Sequence, residues 1–190
     1  MKRLLFGICI AALFTVAVGA DSMAREVKGV NFPESVSIGG KTCSLAGVGI
    51  RKKLIISVYL GALYLEKPAK TGENVIAAAQ TKRILMHFLY SEVTADQIVE
   101  AWNEGFANNS PDAVAALKDK IARFNGFFTA PLKKGDTIAV TYIPGTGTEV
   151  SLNGSVKGVI DGEDFMKAVF AIWFGPKPPS KGLKKGMLGE

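Results

Sequence analysis

Arg51 and Tyr59 are the side chains in this sequence whose types and spacing offer the clearest chemistry. An arginine presents a planar fork of donors that fits a carboxylate bidentately, and a tyrosine hydroxyl adds a third hydrogen bond to the same anion. Both lie in or beside one apolar stretch, Leu54-Ile-Ile-Ser-Val-Tyr-Leu-Gly-Ala-Leu-Tyr-Leu65, where Ser57 supplies a further hydroxyl. A guanidinium in an apolar mouth is costly unless an anion meets it. One reading is therefore a grip on an acidic headgroup. The plainer one has Arg51 paired with a surface acid and Tyr59 filling core, and the residues alone leave both open.

Other chemistries find less support. With one histidine, His87, and two cysteines, a zinc site would rest on carboxylates, so no metal is expected. No Gly-x-Ser-x-Gly elbow is present, and a Ser-His-acid triad has no local signature. Gly145-Thr-Gly147 precedes a strand rather than a helix N-terminus, which removes the physical basis of a phosphate loop. No cofactor is expected.

The elements that position these groups follow from periodicity. Residues 54–65 are rich in β-branched and aromatic side chains and too short to span a bilayer, which predicts a long central strand. Gly47 and Gly49 predict a tight turn before it, carrying Arg51. Alternation puts Leu54, Ile56, Val58, Leu60 and Ala62 on a core face, and Ile55, Ser57, Tyr59, Gly61 and Leu63 on a face that walls a pocket. Strands are also predicted over 27–32, 36–38 and 42–46, with a hairpin at Gly39-Gly40, and over 82–90. A short helix is expected over 74–80, with Asn74 near its cap. Thr94 caps a helix along which Ile98, Ala101, Trp102 and Phe106 recur at helical spacing, and Pro111 opens another, with Val114, Leu117, Ile121 and Phe124 inward. Strands over 137–143, 148–152 and 155–160 follow, the last two flanking Asn153-Gly154. A helix opening at Asp161-Gly-Glu turns Phe165, Val169, Ile172 and Trp173 inward and breaks at Gly175, after which Ser180 caps a last one. This order predicts an α+β domain with an antiparallel sheet covered on one face by helices.

The N-terminus reads as an address. Lys2 and Arg3, the apolar run 4–18 and Val18-Gly-Ala20 make a secretory signal peptide over 1–20, with Ser22-Met-Ala24 a second possible cut. The apolar run falls short of the ~20 residues that cross a bilayer. The expectation is an exported, periplasmic protein with one domain over 21–190 and no membrane span after cleavage. Cys43 is then its lone cysteine, which excludes an intramolecular disulfide and suits a small buried hydrophobe. Without Lys2 and Arg3 the chain has 21 basic against 17 acidic residues. That excess gathers at Lys177, Lys181, Lys184 and Lys185, a solvated helix face without the dense, aromatic-interleaved stripe of a nucleic-acid surface.

Several motifs in order carry a resemblance: Gly47-x-Gly49-x-Arg51, Leu63-Tyr-Leu-Glu66, the helix around Trp102, Pro144-Gly-Thr-Gly147, Phe165 with Ile172-Trp-Phe-Gly175, and Leu183-Lys-Lys-Gly-Met-Leu-Gly189. From about Gly29 to Gly189 the chain resembles the chalcone isomerase-like family in its bacterial exported branch. The resemblance implies an open-faced β-sandwich with helices over the sheet and a ligand cleft between them. In the plant enzymes of that family, an arginine in this loop and a threonine on the next strand help bind and activate the flavonoid. Arg51 matches the first. Tyr59 stands at the second, as in relatives that bind fatty acids through an arginine and a tyrosine. The enzymes also use a tyrosine just before a helix and an asparagine a turn or two into it. An ungapped register puts Thr94 and Ala101 there, and Ile172 where a threonine ends the last long helix. The resemblance thus implies an anion clamp without the isomerisation machinery, and fold likeness alone does not license the activity.

The expectation is a non-catalytic, exported binder of a fatty acid or similar amphipathic carboxylate. Its ligand-binding residues would be Arg51, Tyr59, Ser57, Thr94 and Trp102, with Ile55, Gly61, Leu63 and Phe106 along the tail. The alternatives are an isomerase or lyase acting on an aromatic or unsaturated acid, with Arg51 stabilising developing negative charge, and a structural envelope protein with an empty cleft.

Overall fold

The computed structural model describes residues 23–190; the expected signal peptide lies outside the described residues. The strands are β1 (Ala24–Val27), β2 (Val30–Pro33), β3 (Ser35–Ile38), β4 (Lys41–Lys53), β5 (Ile56–Leu65), β6 (Lys82–Phe88), β7 (Glu92–Val93), β8 (Leu132–Lys133), β9 (Thr137–Ile143), β10 (Gly147–Leu152) and β11 (Ser155–Ile160). The helices are α1 (Gly72–Ala77), α2 (Ala95–Asn109), α3 (Pro111–Val114), α4 (Lys118–Asn125), α5 (Glu163–Phe174) and α6 (Lys181–Met187). Seven strands form one antiparallel sheet in the order β11-β10-β9-β6-β5-β4-β3. The expected α+β class, an antiparallel sheet with helices on one face, is what forms.

Alternation along the central strands sorts two cores. On the helix side, Tyr59, Leu63, Ile84, Met86 and Phe88 pack with Trp102, Phe106, Phe165 and Trp173. On the opposite side, Leu60, Ala62 and Tyr64 pack with Phe32 of the β1–β2 hairpin, and with Cys43, Leu45 and Ile38. Cys43 is a buried hydrophobe, as its strand position predicts. The Asn153-Gly154 hairpin also forms, with both residues at positive φ.

Several boundaries differ from expectation. Gly47 and Gly49 lie inside the 13-residue strand β4, and the turn falls at Leu54-Ile55. The glycines are needed for close approach: a Cβ on Gly49 would sit 2.2 Å from the Leu183 carbonyl oxygen of α6, and one on Gly47 would sit 2.2 Å from that of Gly186. A strand glycine that admits another backbone reads like a turn glycine in sequence. The stretch 27–32 is a hairpin turning at Lys28-Gly29, both at positive φ. Helix α1 begins at Gly72 with Thr71 as its cap, the hydroxyl accepting from the Asn74 N–H at 3.2 Å. The helix opened by Pro111 is broken into α3 and α4 around Leu117.

Helix α1 ends on a buried lysine. Lys82 Nζ donates to the carbonyls of Val75, Ile76 and Ala78 and lies 4.6 Å from the centre of the Phe170 ring. Burial pushes its pKa down to about 7, with Lys167 lowering it further and Glu163 opposing. Among the described residues no helix is long and apolar enough to cross a membrane.

Candidate functional site

Strands β4 and β5 bring the two leading residues together: Arg51 and Tyr59 are directly opposed in the antiparallel register. The pairing slips between Arg51 and Lys52, leaving Val58 as the extra residue of a bulge. The Val58 carbonyl accepts from the N–H groups of Leu89 at 2.9 Å and Tyr90 at 3.1 Å. Its side chain packs on the helix-side core with Tyr59 rather than with Leu60. The bulge breaks the simple alternation expected there, and Ser57 loses its phase with Tyr59.

Tyr59 is buried, and its oxygen accepts from Trp173 Nε1 at 3.2 Å. An indole nitrogen only donates, so the Tyr59 hydroxyl keeps its own proton to donate elsewhere. Burial raises the Tyr59 pKa to about 12, against the lowering effects of the Trp173 bond and the nearby Arg51 charge. The group is a neutral donor at physiological pH. Half-buried Arg51 donates from Nη1 to the Lys52 carbonyl, and among the described residues it forms no ion pair with an acid. The plainer account is met in part: Tyr59 belongs to the core, while Arg51 has no acid within ion-pair distance among the described residues.

Helix α2 supplies the facing wall. Thr94 opens it with a capping box, its hydroxyl accepting from Gln97 N–H at 3.3 Å while Gln97 Oε1 accepts from Thr94 N–H at 3.0 Å. Two turns on, Trp102 packs edge-on against Phe124 and Trp173. Its Nε1 is buried and has no hydrogen-bond partner among the described residues. A buried donor left unpaired costs about 1–3 kcal/mol.

These walls enclose a cavity of about 180 Å³ between sheet and helices. Arg51, Tyr59 and Met86 line it from the sheet, Ile98, Ala101, Trp102, Glu104, Gly105 and Asn108 from α2, and Ile172 from α5. Lys177, Pro178 and Pro179 close the rim. Asn109 fixes that rim loop: its amide donates to the carbonyls of Gly105 and Lys177, both at 3.0 Å, and accepts from the Lys177 N–H at 2.9 Å.

Of the five expected ligand-binding residues, Arg51, Tyr59 and Trp102 share this cavity, while Ser57 and Thr94 are not among its lining residues. Ile55 is exposed at the hairpin tip, Gly61 is covered by Leu183 and Met187, and Leu63 and Phe106 are buried in the core outside the lining. The positions matched to catalytic groups of the plant enzymes, Ala101 and Ile172, present apolar side chains to the cavity. His87 registers with Leu60, and burial lowers its pKa. Sequence reasoning did not link Trp173 to Tyr59, because tryptophan at helical spacing reads as core. Lys177 is exposed, as expected of a solvated lysine, and also borders the cavity. Among the described residues no group of three His, Cys, Asp or Glu side chains is arranged to hold a metal.

Comparison with known proteins gives the same architecture. A fatty-acid binding protein of Arabidopsis thaliana superposes with a TM-score of 0.72 at 20% sequence identity, covering 87% of this chain and 96% of that one. Likeness at that identity speaks to the fold. No curated protein matches in sequence. The family model described as chalcone isomerase-like matches residues 24–189, nearly everything the structure describes. The chain belongs to the chalcone isomerase-like family.

Proposed function

We propose that this protein is a non-catalytic binder of a fatty acid or similar amphipathic carboxylate, exported by cleavage of residues 1–20. One observation carries the reading. Arg51, with no ion-pair partner among the described residues, is registered against Tyr59 at the wall of a cavity that mixes polar side chains with Met86, Ile98, Trp102 and Ile172. Guanidinium, phenol and the unpaired Trp102 N–H are all donors, and a carboxylate offers only acceptors. The fatty-acid binding protein that shares this fold supports the same class of ligand.

Chemistry has fewer means here. Ala101 and Ile172 provide no proton-transfer group, and the one carboxylate in the lining, Glu104, is exposed on α2. General acids and bases typically contribute about 10²–10⁴ in rate. We therefore expect no chalcone cyclisation above the uncatalysed rate, followed by stopped-flow absorbance. Saturable turnover lost in Arg51→Ala would overturn the binding role.

Native mass spectrometry of protein recovered from its exporting host tests both halves of the proposal. The expected species begins after Ala20 or Ala24 and carries a carboxylate-bearing lipid. A chain that retains Met1 in the membrane fraction contradicts export, and an exported chain that never carries or takes up such a ligand contradicts the binding role.

A further inference from the structure

The turn between β4 and β5 puts its most apolar residues where nothing in the fold covers them. Leu54 is 93% exposed, Ile55 94% and Ile56 45%, and none of the three belongs to either hydrophobic core. Leu54 also has φ +57°, a left-handed conformation that glycine takes freely and leucine does not. A sequence shaped only by folding would put a polar residue or glycine at such a turn. Here an exposed and conformationally strained leucine is followed by two isoleucines.

The surroundings are cationic. Arg51, Lys52 and Lys53 lead directly into the turn, Lys52 and Lys53 are exposed, and no acidic residue occurs between Glu34 and Glu66. Tyr90, 41% exposed, is tied to the same end of the sheet by its N–H bond to the Val58 carbonyl at 3.1 Å. Aliphatic side chains at a tip, lysines just behind them and a tyrosine alongside form the pattern that suits the boundary between lipid headgroups and acyl chains.

We propose that the β4–β5 hairpin tip docks this protein on an anionic lipid bilayer. Leu54 and Ile55 enter the boundary region, and Lys52 and Lys53 meet lipid phosphates. A stable protein–protein interface buries about 800 Å² on each partner, which a two-residue tip flanked by lysines does not offer. Shallow insertion of a few side chains, reinforced by cations near an anionic surface, requires no such area. Arg51 lines the cavity only three residues before the tip, about 10 Å of extended chain. Docking therefore brings the Arg51 side of the cavity near the bilayer interface. The docking itself is independent of what the cavity binds.

The test uses the chain from Met23 to Glu190, which holds every described element and both cores and omits the apolar run 4–18, since that run would bind lipid by itself. Co-sedimentation is measured with vesicles of phosphatidylcholine alone and with roughly a third phosphatidylglycerol. The expected result is at least roughly tenfold stronger binding to the anionic vesicles. The double variant L54S/I55S should lose at least roughly tenfold on them, with unchanged circular dichroism. K52E/K53E should abolish the preference for anionic lipid. Leu54→Gly, which relieves the positive φ, should keep or raise the Tm while weakening vesicle binding. The proposal is overturned if the wild type ignores anionic vesicles, or if L54S/I55S binds them equally well. Lipid-free dimers that disperse in L54S/I55S would overturn it too, by making a second copy the occupant of the tip.

Discussion

Trp173 donates to the Tyr59 oxygen, which leaves the hydroxyl proton for another acceptor, and burial keeps that proton in place to about pH 12. Tyr59→Phe removes one neutral donor and keeps the ring, so carboxylate affinity should fall severalfold, about 1 kcal/mol by calorimetric titration. Neither the Trp173 bond nor the unpaired Trp102 N–H was legible in the sequence, because long-range pairs have no spacing to announce them. Arg51 and Tyr59 were legible as a pair of suitable types, and the strand register supplied the fact that they face each other. Lys82 makes a separate prediction about pH. Its folded pKa lies near 7, below the ordinary lysine value of 10.5, so between those limits the unfolded chain holds the extra proton. Its contribution to stability is therefore greatest above pH 10.5, falls as pH drops toward 7, and is flat below that. Lys82→Met leaves three carbonyls without their donor but removes this titration. Denaturant melts should show the stability gap between wild type and variant widening from pH 7 to pH 10. A gap that stays constant would mean that Lys82 keeps its proton in the folded protein.

At the scale of elements, the site depends on how α6 and β4 meet. Gly47 and Gly49 admit the backbone of α6, and Gly186 returns the accommodation, since a Cβ there would lie 2.6 Å from the Gly49 Cα. Gly49→Ala must push helix backbone away, not a flexible side chain. We expect a loss of about 2–4 kcal/mol in chemical denaturation, with hydrogen exchange rising first in residues 181–187. Gly29→Ala, where a Cβ meets nothing within 4 Å but φ is +77°, should cost only about 1–2 kcal/mol, from backbone strain. Most strand and helix identities were legible from periodicity, down to the exact bounds of β9 and β11, whereas the short β7 and β8 were not. The turn after β4 was misplaced because glycine marks both turns and close backbone approach. Alternation through Ser57 failed because the bulge at Val58 depends on N–H groups of Leu89 and Tyr90, more than thirty residues further along the chain.

Taken as a whole molecule, the sheet and helices leave about 180 Å³ beside Arg51, less than the roughly 300–1,000 Å³ of sites that engulf a whole small ligand. Helix α2 lies too close to α5 to offer more, because a Cβ on Gly105 would sit 2.7 Å from Ile172. Affinity in a series of saturated acids should therefore rise by about 0.8 kcal/mol per methylene for the first carbons and then level off. A rise that continues unbroken to long chains would mean that α2 lifts from α5 on binding. Family membership and the layered architecture were legible from the order of motifs, whereas the size of the cavity was not, since it depends on packing across α2, α5 and the loop that Asn109 fixes. The proposed grip on an anion stands or falls with Arg51. Removing one partner of a partly desolvated charge pair typically costs about 2–5 kcal/mol. The most direct measurement is calorimetric titration of wild type, Arg51→Ala and Arg51→Lys with a fatty acid and with the alcohol of equal length. Arg51→Ala should bind the acid at least about thirtyfold more weakly, roughly 2 kcal/mol. Arg51→Lys should recover part of that loss, and the alcohol should bind weakly and equally to all three. Folded Arg51→Ala that binds the acid as tightly as wild type would contradict the proposed grip.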